Sequence, residues 1–267
     1  MSNSIFQVPV AINEPVLNYS PGSPERKNLQ AALKEMRSEV IDVPMYIVGK
    51  AVHTEKKGEL RPPHDHKHLL GKYSIGDASH IKQAIDAALA ARKEWAEMEW
   101  EQRLSIFLKA ADLLAGPYRA KINGATMLAQ SKNAYQAEID AACEMIDFLR
   151  FNVQYAREIY TAQPISSKGV YNRVEQRPLE GFVFALTPFN FTAISGNLPT
   201  SVAMMGNTVV WKPAFTQIYS ARVLMEVFME AGMPAGVINL VYVPGSVAGD
   251  VILSHPDFAG IHFTGST

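Results

Sequence analysis

From residue 181 onward four short, nearly continuous apolar runs each lead into a residue cluster unsuited to a strand interior, and three helical stretches lie between them. The runs are Phe182–Leu186, Thr208–Trp211, Val237–Val241 and Gly260–Phe263. The helical stretches between them are Leu198–Met205, Ile218–Ala231 and Ser246–Leu253. Apolar strands without alternation are buried on both faces, and helical crossovers make their pairing parallel. The pattern therefore predicts an α/β fold with a Rossmann-like parallel sheet and helices on both faces. Ligands of such sheets sit at the carboxyl ends of the strands. Those ends hold the unusual residues: Thr187-Pro188-Phe189-Asn190-Phe191, Trp211-Lys212-Pro213, Val243-Pro244-Gly245 and Phe263-Thr264-Gly265-Ser266-Thr267.

The preceding residues read differently. The first 22 are Pro-rich and aperiodic, as expected of an arm lying over a surface. Ser23, Pro24 and Glu25 mark a helix start, with the helix running to about Val40. Short β-prone pieces follow at Met45–Val48 and Leu69–Ile75. Then comes a helical block. Ile81, Ile85, Ala88, Leu89 and Trp95 recur at helical spacing, as do Leu104, Phe107, Leu108, Ala111 and Leu114. A third helix is expected at 117–130 and a fourth at 135–160, with Ile139, Cys143, Ile146 and Val153 on its buried face. The expected organisation is an arm, helix and short strands over 1–75, a helical part over 76–161, an arm over 162–180 and a Rossmann-like core over 181–267.

Composition narrows the partners. Among 267 residues there are 25 basic and 26 acidic side chains, so no charge excess points to nucleic acid. No apolar stretch of about 18 residues predicts a membrane-spanning helix, and no leader pattern is evident at the N-terminus. The single cysteine excludes a disulfide framework, so a reducing cytoplasmic setting is expected. Neither a Gly-x-Gly-x-x-Gly fingerprint nor a Walker loop is present.

Three stretches, Thr187–Phe191, Gly206–Pro213 and Phe263–Ser266, resemble consecutive signatures of the NAD(P)-dependent aldehyde dehydrogenases, in the same order and spacing. Within that family, Asn13–Leu17, Gly22–Arg26, Ala84–Trp95, Gln136–Ala142 and Phe189 are similar to the 1-pyrroline-5-carboxylate dehydrogenase branch, which oxidises glutamate γ-semialdehyde to glutamate in proline catabolism. The likeness covers essentially the whole chain, aligned with the N-terminal half of such enzymes.

The resemblance implies an NAD cofactor and assigns roles by position. Asn190 matches the oxyanion donor; an amide suits the task because it donates N–H bonds without a titrating proton. Its alternative is to cap the following helix. Lys212 matches the lysine that contacts the adenosine ribose or a phosphate; its alternative is a lysine reaching solvent. Thr187, Gly245, Gly249, Gly265, Ser266 and Thr267 match positions lining the cofactor, where glycine permits close approach and a helix start favours phosphate. Gly245 and Gly249 also have the spacing of a helix packing contact. Phe191 is placed beside the aldehyde chain, with core packing as its alternative. Phe215 stands where many relatives carry a ribose-binding carboxylate, so this position gives no support for NAD over NADP.

Cys143 lies mid-helix with no nearby histidine and reads as a buried structural thiol. His64, Asp65, His66 and His68 form a dense loop cluster, but no metal site is expected there. The resemblance places the nucleophilic cysteine and general base beyond Thr267. The chain is thus expected to be a truncated piece without its catalytic domain, inactive alone, and the full-length enzyme a homo-oligomer in which the 162–180 arm pairs with a neighbour as a strand or hairpin. The alternatives are a non-catalytic NAD-binding module or another aldehyde dehydrogenase.

Overall fold

The computed structural model describes residues 6–266. Helix α1 (Pro24–Ser38) begins where Ser23 Oγ accepts from the Arg26 amide, with proline in the first turn. Strands β1 (Ile41–Val43), β5 (Gly71–Ser74) and β4 (Lys57–Leu60) make a small three-stranded sheet in that order. Strands β2 (Met45–Ile47) and β3 (Lys50–Val52) form a hairpin. Helices α2 (Ala78–Glu97), α3 (Trp100–Ala115) and α4 (Arg119–Gln130) follow. Helix α2 starts at a capping box: Asp77 accepts from the Ser79 and His80 amides while His80 Nδ1 faces the Asp77 amide. Its Ile81, Ala84, Ile85, Ala88 and Trp95 are all buried.

The fourth helical stretch is three elements in series: α5 (Ala134–Ala137), a π-helical segment (Glu138–Glu144) and α6 (Met145–Thr161). The wider π turn changes which side chains face inward. Ile139, expected in the core, is exposed, while Glu138 and Asp140 are buried. Cys143, Ile146 and Val153 do face inward.

The main sheet contains β6 (Phe182–Thr187), β7 (Thr208–Pro213), β8 (Ile238–Leu240) and β9 (Phe258–Phe263), in the order β3-β2-β8-β7-β6-β9. The four sequence-expected strands pair in parallel. The β2-β3 hairpin adds antiparallel at β8, through Tyr46 opposite Leu240, so the sheet is mixed. A boundary at residue 75 would cut this sheet in two. Strands of three residues signal their existence but not their partner, so the hairpin's place was not legible.

The connecting helices are α7 (Thr192–Met204), α8 (Ile218–Ala231) and α9 (Gly245–Ile252). Helix α7 starts six residues before the expected Leu198, with Pro199 inside it. The chain steps from β6 to β7 to β8 in one direction, then returns past β6 to β9. Right-handed crossovers therefore place α7 and α8 on one face and α9 on the other. Helix α2 packs against α9 and against β6, β7 and β8, while α3 and α6 pack on α7. Trp95 of α2 donates from Nε1 to the Ala203 carbonyl, and the buried Arg103 donates from Nε to the Met204 carbonyl, satisfying the end of α7.

Residues 162–180 form no strand. They make an exposed excursion that turns at Lys168-Gly169, closed by the Val170 amide on the Ser167 carbonyl. The Gln163 side chain bonds both the Val174 amide and carbonyl, taking the place of a strand neighbour. The N-terminal arm does lie over a surface: Ala11, Glu14 and Leu17 donate backbone amides to Gln154, Asp147 and Glu138.

Candidate functional site at the carboxyl ends of the strands

Register alone brings the candidate residues together. Leu186 stands opposite Lys212 on one side and Phe263 on the other, and Trp211 opposite Leu240. Beyond the strands, the Ala214 amide bonds the Thr187 carbonyl and the Thr264 amide bonds the Leu186 carbonyl. The ends of β9, β6, β7 and β8 thus lie side by side. The reversal of strand order falls between β6 and β9, and it is at such a reversal that sheets of this kind take their ligands. Asn190 and Gly265 follow those two strands.

Thr187 is buried. Its Oγ1 accepts from Trp211 Nε1 at 3.0 Å and lies 3.0 Å from Ser195 Oγ. With hydroxyl and carbonyl both engaged inside the chain, Thr187 anchors the strand end instead of offering a free polar group.

Asn190 is exposed, in a bend between β6 and α7. The helix-cap alternative is not what the fold uses: the cap position is Phe191, with no side-chain acceptor of its own. The amides of Thr192 and Ala193 instead donate to the buried Asp140 carboxylate, each at 3.1 Å. Lys132 Nζ bonds Asp140 Oδ2 and the Asn190 carbonyl, both at 2.6 Å, and lies 4.2 Å from the Phe191 ring centroid. Phe191 is therefore not a core residue; it is partly exposed beneath a cation. Beside this group, burial and the Asp140 charge push the Glu144 carboxyl up, opposed by Lys132. Asp140 and Lys132 escaped the sequence reading because a cap supplied from 52 residues away leaves no local spacing.

Lys212 is 7% exposed. Its Nζ is 3.5 Å from the Pro213 carbonyl and 5.3 Å from the Phe215 ring centroid, and among the described residues it has no carboxylate partner. Burial lowers its pKa below the ordinary lysine value. The solvent-reaching alternative does not describe this side chain.

Gly245 opens α9, whose cap position, Pro244, supplies no side-chain acceptor. Its first-turn amides are thus among those a helix leaves without internal partners. A Cβ on Gly245 or on Gly249 would meet nothing within 4 Å, so neither glycine is explained by packing against the chain. Gly265 differs: a Cβ there would fall 2.8 Å from the Phe263 ring, an internal reason for glycine. Ser266 is exposed, and Thr267 lies outside the described residues.

A second polar centre lies behind the π segment, and sequence reasoning missed it. The buried Glu138 accepts from Arg119 Nη2 (2.5 Å), Tyr19 Oη (2.6 Å), Asn123 Nδ2 (2.8 Å) and the Leu17 amide (2.8 Å). Burial opposes its charge, but these donors outweigh it and hold the carboxyl below the ordinary range. Arg119 also binds Glu14, which Arg150 shares. Cys143 is buried here, and burial and the Glu138 charge push its thiol up to about 12. A protonated, enclosed thiol is inert as a nucleophile.

A doubly wound sheet with these signatures at its strand ends has known counterparts. The aldehyde dehydrogenase family profile matches residues 51–267, and the chain belongs to that family. It is 47% identical over 266 residues to the probable delta-1-pyrroline-5-carboxylate dehydrogenase of Schizosaccharomyces pombe, covering 98% of this chain and 48% of that protein. It is 46% identical over 254 residues to the mitochondrial delta-1-pyrroline-5-carboxylate dehydrogenase of Homo sapiens, covering 95% and 45%. The crystal structure of the Mycobacterium tuberculosis delta-pyrroline-5-carboxylate dehydrogenase bound with NAD superposes with a TM-score of 0.97 at 50% identity, covering 100% of this chain and 50% of that one. The chain thus spans about half the length of the relatives it matches. Among the described residues, no helix is long and apolar enough to cross a membrane.

Proposed function

We propose that this chain is the nucleotide-binding segment of an NAD-dependent dehydrogenase that oxidises L-glutamate γ-semialdehyde, the open form of 1-pyrroline-5-carboxylate, to glutamate. The observation that carries the reading is the buried Lys212 ammonium without a carboxylate partner among the described residues, at the carboxyl end of a parallel strand whose neighbour β8 leads into the open first turn of α9. Such a charge is costly unless a ligand answers it, and a dinucleotide phosphate or ribose does so. The space around Gly245 and Gly249 fits the same group, with the α9 amides facing the pyrophosphate. When bound, the nicotinamide supplies the hydride acceptor. Asn190 donates its side-chain amide to the oxyanion that develops on the aldehyde carbon, and Phe191 flanks the aldehyde chain. The thiol and base belong to the other half of the longer enzyme, so the 267-residue chain alone does not oxidise aldehydes.

NAD in preference to NADP is supported by the NAD-bound relative and not by Phe215, which offers a ring and no carboxylate to the cofactor. A cytoplasmic setting is supported by the lone buried thiol, although several relatives are named as mitochondrial. Homo-oligomerisation of the full enzyme is supported by the exposed apolar side chains Ile165, Val170, Tyr171 and Leu179 along the 162–180 excursion.

Calorimetry tests the cofactor reading: folded chain titrated with NAD releases heat, and Lys212→Met abolishes it. A folded wild-type chain that binds no NAD at millimolar concentration overturns it. For the substrate, the chain joined to a catalytic half reduces NAD with glutamate γ-semialdehyde and at least tenfold less efficiently with acetaldehyde. Equal kcat/KM for the two would remove the substrate assignment.

A further inference from the structure

The helix that follows the oxyanion donor is capped from outside. Both oxygens of the Asp140 carboxylate are used, Oδ2 by the Thr192 amide and Oδ1 by the Ala193 amide. Asp140 is 2% exposed and is turned inward by the π-helical segment. Lys132 neutralises it and carries the restraint one step further, to the backbone carbonyl of Asn190 itself. Thr192 is held a third way, its Oγ1 lying 2.8 Å from Thr126 Oγ1 and accepting from Gln130 Nε2 at 2.7 Å. These contacts converge on residues 190–193. The body of α7 is secured separately, by apolar packing and by Trp95 and Arg103 at its far end.

We propose that Asp140 and Lys132 are positioning residues for the oxyanion donor: the carboxylate fixes the first turn of α7, and the ammonium ties the Asn190 backbone to that carboxylate. Neither touches the substrate. The inference rests on the reading of Asn190 as that donor. An oxyanion hole is effective only when its dipoles are fixed before charge develops. An exposed bend cannot fix itself, and the clamp supplies the rigidity. The charge matters as much as the shape. In Asp140→Asn one oxygen becomes an amide nitrogen, leaving three donors, two backbone amides and the Lys132 ammonium, to compete for one remaining oxygen.

Two readouts test the proposal. In this chain, Asp140→Asn raises amide exchange at Thr192 and Ala193 by roughly tenfold or more, with β6 and β7 amides and NAD affinity unchanged. In the chain joined to a catalytic half, the same variant lowers kcat roughly 10- to 100-fold with the aldehyde KM within about twofold, and on an Asn190→Ala background it lowers kcat no further. Unchanged exchange at 192 and 193 overturns the clamp, and multiplicative losses in the double variant overturn its action through Asn190. Should Asp140→Asn not fold, Lys132→Met, which leaves the helix cap in place, carries the kinetic readout: kcat falls with no further loss on the Asn190→Ala background, Lys132→Arg restores most of the rate, and an unchanged kcat overturns the proposal. If the wild-type enzyme turns over no aldehyde, the proposed function fails, while the exchange measurement still decides the clamp.

Discussion

Replacing Lys212 by methionine should make the chain more stable and less able to bind its cofactor. The ammonium is 7% exposed, with a marginal 3.5 Å contact to one carbonyl and a ring face at 5.3 Å. Leaving a buried charged donor so poorly matched costs about 1–3 kcal/mol, and the ring returns about 0.5–1 kcal/mol. Methionine keeps the apolar stem without the charge, so the net gain is about 1–2 kcal/mol, or roughly 2–4 °C in Tm for a chain of this size. The pH dependence has a defined sign. The folded pKa of Lys212 lies below 10.5, so between that lowered value and 10.5 the unfolded chain holds the proton more often than the folded one. Stability of the wild type therefore rises with pH across this window, and its deficit against Lys212→Met narrows. NAD reverses the ranking, since ligand at 100 times Kd adds about 2.7 kcal/mol to the form that binds it. Urea denaturation at pH 7 and pH 10, with and without NAD, measures all three effects. A variant less stable than wild type at pH 7, or a gap that widens as pH rises, would refute the reasoning.

Asn190→Ala should lower kcat of the longer enzyme by about 10²–10³ while leaving the melting temperature within about 1 °C, because its side chain does not cap α7; steady-state kinetics beside thermal melts check both. Gly181→Ala should destabilise the chain by 2 kcal/mol or more on an order-of-magnitude view, since φ is +99° and a Cβ would sit 2.0 Å from the Asp257 carbonyl oxygen at the start of β6; denaturant titration reads the loss. Arg119→Met strands the buried Glu138 carboxylate and should cost about 3–5 kcal/mol. In the wild type the lowered Glu138 pKa contributes stability above pH 4.5 that is lost as pH falls through the folded value; acid titration of the variant should lack that component.

Much of the sheet was legible because each parallel strand is a local event. Phe182–Leu186 and Thr208–Trp211 announce themselves through unbroken burial on two faces, and both appear with ends shifted by one or two residues. Helix α8 matches its expected span because its apolar period is uninterrupted. Helix α7 was under-read: Gly196 and Pro199 are poor helix formers, yet Gly196 leaves room for Met145, whose sulfur would lie 2.5 Å from an added Cβ. Ile139 was misplaced because a 3.6-residue period cannot foresee a π turn. At the site, the residues that sit on strand ends could be found by position. Those that act on them from a distance, Asp140 and Lys132, could not, nor could the Glu138 centre, whose partners lie up to 121 residues away.

That centre bears on how the chain acquires its structure. The arm segment at Leu17 and Tyr19 bonds a residue more than a hundred positions later. Loop closure over such a span is slow relative to helix formation, so long-range pairings of this kind complete late. During synthesis the arm emerges before its partners and has nothing to bind until Glu138, Asp147 and Gln154 have followed it. For that interval Arg119 and Glu138 remain partly hydrated and the π segment is without its cover. The arm residues are thus among the last to dock, and a variant lacking residues 6–20 would fold with that face open to water.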